Sequence, residues 1–209
     1  MPGMRIFLER SDDGSRRLGL AFGRPVPPRR TLVLGGARSG KSVTAERMLA
    51  TAPDVLYVAT GGTRDGDAEW AQRVALHRDR RPAHWRTAET CELEPLLAAG
   101  GGPLLVDCLA LWLTAAMDEC DAWDDAAWAA TGERRLRART GALTAAWQAT
   151  SRRVVAVSNE VGSGVVPATA SGRRFRDELG RLNAGIAAAS EQVLLVVAGQ
   201  PLAVKGRCA

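Results

Sequence analysis

Residues 35–42, Gly35, Gly36, Ala37, Arg38, Ser39, Gly40, Lys41 and Ser42, satisfy the pattern G-x-x-x-x-G-K-[ST] between an apolar stretch at 31–34 and a helical pattern starting near Lys41. Strand, glycine-rich turn and helix in that order constrain the chain more than any other feature. The glycines let backbone N–H groups converge on phosphate oxygens, and the helix N-terminus adds its partial positive charge. Lys41 is placed to reach the β and γ phosphates, and the Ser42 hydroxyl to ligate Mg2+. Lys41 and Lys205 are the chain's two lysines, against a background of arginine, so a lysine retained inside this loop calls for a chemical reason.

Downstream, short apolar runs at 31–34, 55–59, 104–106, 154–157 and 192–197 alternate with longer helical patterns. Continuous rather than alternating apolar strands point to a parallel sheet covered on both faces. The expected fold class is therefore α/β, a P-loop NTPase with a mostly parallel sheet and helices on both faces. Residues 202–205, after the turn at 199–201, read as a last short antiparallel strand. The segment 122–149 reads as one or two packing helices, with Trp123, Leu136, Leu143 and Trp147 as its core residues. Residues 1–30, rich in Arg, Gly and Pro, read as an extension ahead of a nucleotide-binding domain at 31–209, with a small hairpin of 5–8 and 18–22 around residues 12–14.

Composition removes several classes of function. The net charge of +5 comes from scattered residues, and no basic run is interleaved with aromatics as nucleic-acid stacking platforms require. Nucleic acid is not an expected partner. No apolar run approaches the roughly 18 residues of a membrane helix. Cys91, Cys108, Cys120 and Cys208 lack C-x-x-C spacing, and there is no N-terminal apolar leader, so a reduced, cytoplasmic protein is expected. Two histidines without zinc-site spacing leave a hard, oxygen-bound ion as the expected metal.

A second metal ligand is expected at the end of a neighbouring strand, and residues 104–107 supply an apolar run ending in Asp107. An ordinary strand-end aspartate capping the next helix is the competing reading. Ser158, Asn159 and Glu160 place further polar groups at a similar strand end. On a helix predicted over 67–79, Glu69, Arg73 and His77 form one polar stripe, with Trp70 and Val74 pointing elsewhere. Arg78, Asp79, Arg80 and Arg81 follow at once. Three arginines beside an imidazole are a poor arrangement for stability and a good one for a polyphosphate.

From residue 31 to about 205 the chain resembles the bifunctional adenosylcobinamide kinase / adenosylcobinamide-phosphate guanylyltransferase family of cobalamin biosynthesis. The resemblance rests on 35–42, VLYVAT at 55–60, residues 77–89, LLVDCLALWLT at 104–114, SNEVGSGVVP at 158–167 and FRDELGRLNAGIA at 175–187. It implies that His77 takes GMP from GTP as a covalent intermediate and that Arg78, Asp79, Arg80 and Arg81 contact the nucleotide. It places Ala59, Thr60, Gly61, Glu89 and Asp107 in the GTP site, and makes His84 structural or a secondary contact. It also implies a RecA-like order for the sheet, ATP or GTP as phosphoryl donor, adenosylcobinamide and adenosylcobinamide phosphate as acceptors, and a homo-oligomer, a trimer by resemblance. Residues 1–30 lie outside it, and the 61–66 loop is about two residues longer than the family pattern. A small-molecule kinase using the arginines as a phosphate clamp, and a RecA-like ATPase, are the alternatives that the loop alone leaves open.

Overall fold

The computed structural model describes residues 4–10, 16–22, 26–62, 66, 72, 74–75 and 78–206. Strands β1 (Met4–Arg10) and β2 (Arg16–Phe22) pair antiparallel in a sheet of their own, as the hairpin reading expects. Residues 12–14, its expected turn, lie outside the described residues.

The main sheet contains β3 (Arg30–Gly35), β4 (Leu56–Ala59), β5 (Arg86–Glu89), β6 (Leu104–Asp107), β7 (Val154–Asn159), β8 (Gln192–Val197) and β9 (Gln200–Lys205). Their spatial order is β5-β4-β6-β7-β3-β8-β9. Each pairing is parallel except that of β8 with β9. This is the mostly parallel sheet expected from the alternating pattern, in the RecA-like order that the resemblance implies. Five consecutive residues of β7, Val154 to Ser158, are buried, which requires cover on both faces of the strand.

The helices are α1 (Lys41–Leu49), α2 (Leu93–Ala98), α3 (Leu109–Glu119), α4 (Asp125–Ala127), α5 (Glu133–Ala149) and α6 (Ala170–Ala188), with a π turn at Trp128–Gly132 between α4 and α5. Crossovers between parallel strands are right-handed. The chain steps one way along the sheet from β3 to β4 and from β4 to β5, so α1 and the connection before β5 share one face. It steps the other way from β5 to β6, β6 to β7 and β7 to β8, which sends α2, α3, α5 and α6 to the opposite face. Neighbouring strands β3 and β7 therefore send their helices to opposite sides, and so do β4 and β6. Such reversals open crevices at the C-terminal ends of the strands. Gly35, Ala59, Asp107 and Asn159 all lie on that rim, with Ala59 opposite Asp107 and Gly35 opposite Asn159.

Trp112 and Trp147 are fully buried, and their indole N–H groups donate to Cys91 O and Ser190 Oγ. Leu136 and Leu143 join that core, but Trp123 does not: 42% exposed, it turns outward and donates to Asp118. It lies in the turn before α4, off the buried stripe of α5. Strand β5 has no counterpart among the expected strands. Of the helix expected over 67–79, residues 72, 74, 75, 78 and 79 are helical, while Glu69, Trp70, Arg73 and His77 lie outside the described residues. Among the described residues no helix is long and apolar enough to cross a membrane.

Candidate active site

The phosphate loop is held by its own backbone and by the β8–β9 turn. Gly40 caps α1 at φ 93°, a left-handed conformation that favours glycine, and Arg38 also has positive φ at 56°. A methyl group on Gly35 would approach Val196 O to 2.7 Å, so no larger residue fits there without backbone movement. Ser39 N–H donates to Gly36 O at 3.3 Å, and Gly199 N–H donates to Ser39 O at 2.8 Å. Lys41 is buried, and its ammonium donates to Gly36 O at 3.0 Å, which folds the side chain back over the loop. The Ser39 hydroxyl is buried with no hydrogen-bond partner among the described residues. A buried, unsatisfied hydroxyl inside a nest of N–H groups suits an oxyanion ligand. Gly36, Ala37 and Arg38 are exposed at the mouth, and Ser42 is half-buried at the first turn of α1.

Across the rim, Asp107 ends β6, two strands from β3 with β7 between them. Tyr57 O–H donates to Asp107 Oδ2 at 2.6 Å. Burial first, and the Asp107 carboxylate second, push the Tyr57 phenol far above its ordinary pKa, so it stays a donor. Thr60 is buried; its hydroxyl donates to Cys108 O at 2.7 Å and accepts from Cys108 N–H at 3.0 Å, locking the end of β4 to the residue after Asp107. The Cys108 thiol is pushed up to about 11, by burial first and Asp107 second, with Lys41 pulling the other way. Ala59 and Gly61 are half-buried on either side of Thr60. Just past the end of the adjoining strand β7, Glu160 N–H donates to Gly35 O at 3.1 Å, and its carboxylate accepts from Gly162 N–H at 2.6 Å.

The arginine segment lies against α1 and β4, on the face to which the crossovers assign it. Arg80 makes a two-pronged pair with Glu46 of α1, Nε to Oε2 at 3.3 Å and Nη2 to Oε1 at 3.2 Å. The Arg81 guanidinium stacks 3.3 Å from the centroid of the Tyr57 ring, and its Nη1 donates to Thr87 Oγ1 at 3.2 Å. Arg78 and Glu89 approach only to 3.9 Å, both exposed, and Asp79 is exposed beside them. His84 Nε2 lies 3.2 Å from Ala52 O. His77, the expected nucleophile, lies outside the described residues.

Two residues join the expected set, Glu46 and Tyr57. Tyr57 is the chain's one tyrosine, set in an apolar strand, and a buried phenol needs a polar partner. That signal was present in the sequence. Glu46 carries none, because one acidic residue on a short helix reads as solvated. Among the described residues no three metal-ligating side chains cluster. The donors that do occur, the Ser42 hydroxyl and the Asp107 carboxylate, are hard oxygens. They fit Mg2+, which is held by one or two protein oxygens together with phosphates and water.

Residues 31–204 match the family model described as cobinamide kinase / cobinamide phosphate guanyltransferase. The bifunctional adenosylcobalamin biosynthesis protein CobU of Salmonella typhimurium is 42% identical over 184 residues, 83% of this chain and 98% of that protein. CobP of Pseudomonas aeruginosa, with the same description, is 44% identical over 186 residues, 85% of this chain and 98% of that protein. CobU of Escherichia coli K12 is 40% identical over 184 residues, again 83% and 98% of the two chains. A solved structure, the P4 protein from bacteriophage phi6 in complex with ADP, covers 84% of this chain and 54% of that one at 19% identity and a TM-score of 0.41.

Proposed function

The chain belongs to the cobinamide kinase / cobinamide phosphate guanyltransferase family and is an enzyme of adenosylcobalamin biosynthesis; from that premise we propose that its two reactions divide between the phosphate loop and the segment around His77. In the first, the aminopropanol hydroxyl of adenosylcobinamide attacks the γ-phosphorus of ATP or GTP. The P–O bond to the β-phosphate breaks, the nucleoside diphosphate leaves and the hydroxyl proton is released. Lys41 swings from Gly36 O onto the β and γ oxygens and neutralises the charge that develops there, while the loop N–H groups and Ser39 hold the phosphates. Mg2+, held by Ser42 and Asp107, supplies further neutralisation when bound.

In the second reaction a neutral His77 ring nitrogen attacks the α-phosphorus of GTP. A P–N bond forms and pyrophosphate leaves. A phosphate oxygen of adenosylcobinamide phosphate then attacks that phosphorus, breaks the P–N bond and gives adenosylcobinamide-GDP with free histidine. Splitting the transfer keeps two polyanions from meeting directly. Arg78 and Arg81, with Arg80 braced by Glu46, line the approach to the α-phosphate, and Ala59, Thr60, Gly61, Asp79 and Glu89 complete the nucleotide site. Thr60 acts there by fixing the β4 and β6 ends, since its hydroxyl is committed to Cys108.

The observation that carries the kinase half is the preformed loop, with Lys41 folded over it and a buried hydroxyl awaiting an acceptor or donor. The reading also takes a homo-oligomer, a cytoplasmic location, and residues 1–30 as an extension ahead of the nucleotide-binding domain. GTP labelled on the α-phosphorus tests the transferase half. With Mg2+, label should remain on the denatured protein in alkali and be lost in acid, and His77→Ala should lose it while keeping phosphoryl transfer. Full guanylyl transfer by His77→Ala would reject His77 as nucleophile.

A further inference from the structure

We propose that Tyr57 is a positioning residue for phosphoryl transfer, holding the Asp107 carboxylate in a fixed orientation at the rim through its phenolic hydroxyl. Tyr57 and Ala59 project from the same face of β4, two residues apart, and Ala59 lies directly opposite Asp107. The tyrosine ring runs along the strand toward the rim, past a neighbour that contributes only a methyl group, and its hydroxyl reaches Asp107 Oδ2 at 2.6 Å. The ring itself is fixed. It is 2% exposed, and the Arg81 guanidinium sits over it, 3.3 Å from its centroid, anchored in turn by Thr87. The bond is not needed to place the backbone of Asp107. The β4–β6 ladder and the Thr60 hydroxyl already lock the strand end and Cys108. What the hydroxyl adds is the direction of one carboxylate oxygen, and therefore of the other. Metal-site carboxylates depend on such outer partners, whose loss costs about 10–100-fold in metal affinity or activity.

The inference rests on the reading that Asp107 belongs to the phosphoryl-transfer site, and its test separates the two. Wild type, Tyr57→Phe, Asp107→Asn and the double variant are compared as full-length proteins. The kinase kcat and KM are normalised to nucleotide-binding sites titrated with a fluorescent ATP analogue, so that lost fold is not read as lost rate. Mn2+ binding in the presence of a non-hydrolysable ATP analogue is followed by electron paramagnetic resonance. Tyr57→Phe should lower kcat by about tenfold with the ATP KM unchanged and weaken Mn2+ binding by a similar factor, and it should add nothing in the Asp107→Asn background. Wild-type kcat and Mn2+ affinity in Tyr57→Phe would overturn the inference, as would losses that multiply in the double variant. Wild-type kcat in Asp107→Asn would remove Asp107 from the site and this role with it.

Discussion

Residues 35–42 take their shape from their own backbone and one neighbouring turn, whereas residues 78–81 are held by side chains from α1, β4 and β5. In the first region the constraints are a left-handed Gly40, a Gly35 pressed toward Val196 O and hydrogen bonds between main-chain groups. In the second they are Glu46 on Arg80, Tyr57 under Arg81 and Thr87 beside it. A backbone-built site exists before its ligand and tolerates few substitutions. A site built from side-chain pairs can lose one tether and keep its fold, and so can be retuned. On the proposed division of the two reactions, the γ-phosphate falls to a site of the first kind and guanylyl transfer to one of the second.

The sharpest way to break this contrast is Lys41→Ala. Its ammonium is the cation folded over the loop, so phosphoryl transfer should fall by about 10³-fold. The melting temperature should change little, because the main-chain bonds of Ser39 and Gly199 remain in the loop when the ammonium's bond to Gly36 O is lost. A rate reduced by less than tenfold, measured with saturating ATP and cobinamide, would mean that the loop is not the γ-phosphate cradle.

Next in size is a pH effect at the seam between the two regions. Cys108 has its folded pKa raised, to about 11, because burial favours the neutral thiol. The unfolded chain therefore releases this proton at lower pH than the native chain, and stability contributed by the neutral thiol is present below the ordinary thiol range and lost as pH rises through 11. Tyr57, shifted in the same direction, adds to the loss above pH ~10. Unfolding free energy measured in urea should fall by about 2–3 kcal/mol between pH 8.5 and pH 11 at the high end of that range. Cys108→Ser should flatten part of the slope.

Smaller again is the tether itself. Glu46 is 10% exposed in its side chain, so Arg80→Ala strands a carboxylate in a largely dry position, at a cost of about 1–3 kcal/mol. Arg80→Ala combined with Glu46→Gln should recover part of that cost, because the stranded charge is gone. Guanylyl transfer should stay impaired in the pair while phosphoryl transfer is retained, which urea titration and α-labelled GTP read separately. Equal loss of both activities would show that the two regions are one unit and erase the distinction.

The same contrast governs what could be read before folding. The loop was legible because its geometry depends on consecutive residues: the strand, the glycines, Lys41 and the start of α1 fall where the pattern 31–42 puts them. Asp107 was legible for the same reason, as a carboxylate closing an apolar run. Strand β5 was not, since Arg86, Thr87 and Glu89 are exposed on an edge and carry no apolar pattern. Glu46 was invisible because its role depends on Arg80, which topology rather than spacing brings onto α1. Trp123 misled for a related reason: tryptophan in an alanine-rich segment reads as core, but in the turn at 121–124 it is Ala122 that is buried while Trp123 is 42% exposed.

The smallest effect gives the cleanest separation of fold from function. Arg78 and Glu89 stand 3.9 Å apart with side chains 68% and 52% exposed. Water screens such a pair, and its contribution to stability is within about 0.5 kcal/mol of nothing. Glu89→Gln keeps the size and hydrogen-bonding capacity of the side chain and removes only the charge. Its melting temperature should match wild type. If residues 78–81 and 89 form the nucleotide-transfer half of the site, the KM for GTP in guanylyl transfer should rise a few-fold, about 1 kcal/mol or less, with the kinase KM for ATP unchanged. A shift in both would mean that Glu89 reports on the phosphate loop across the sheet. No shift in either would leave the edge strand β5 as scaffold and confine the nucleotide site to α1, β4 and β6.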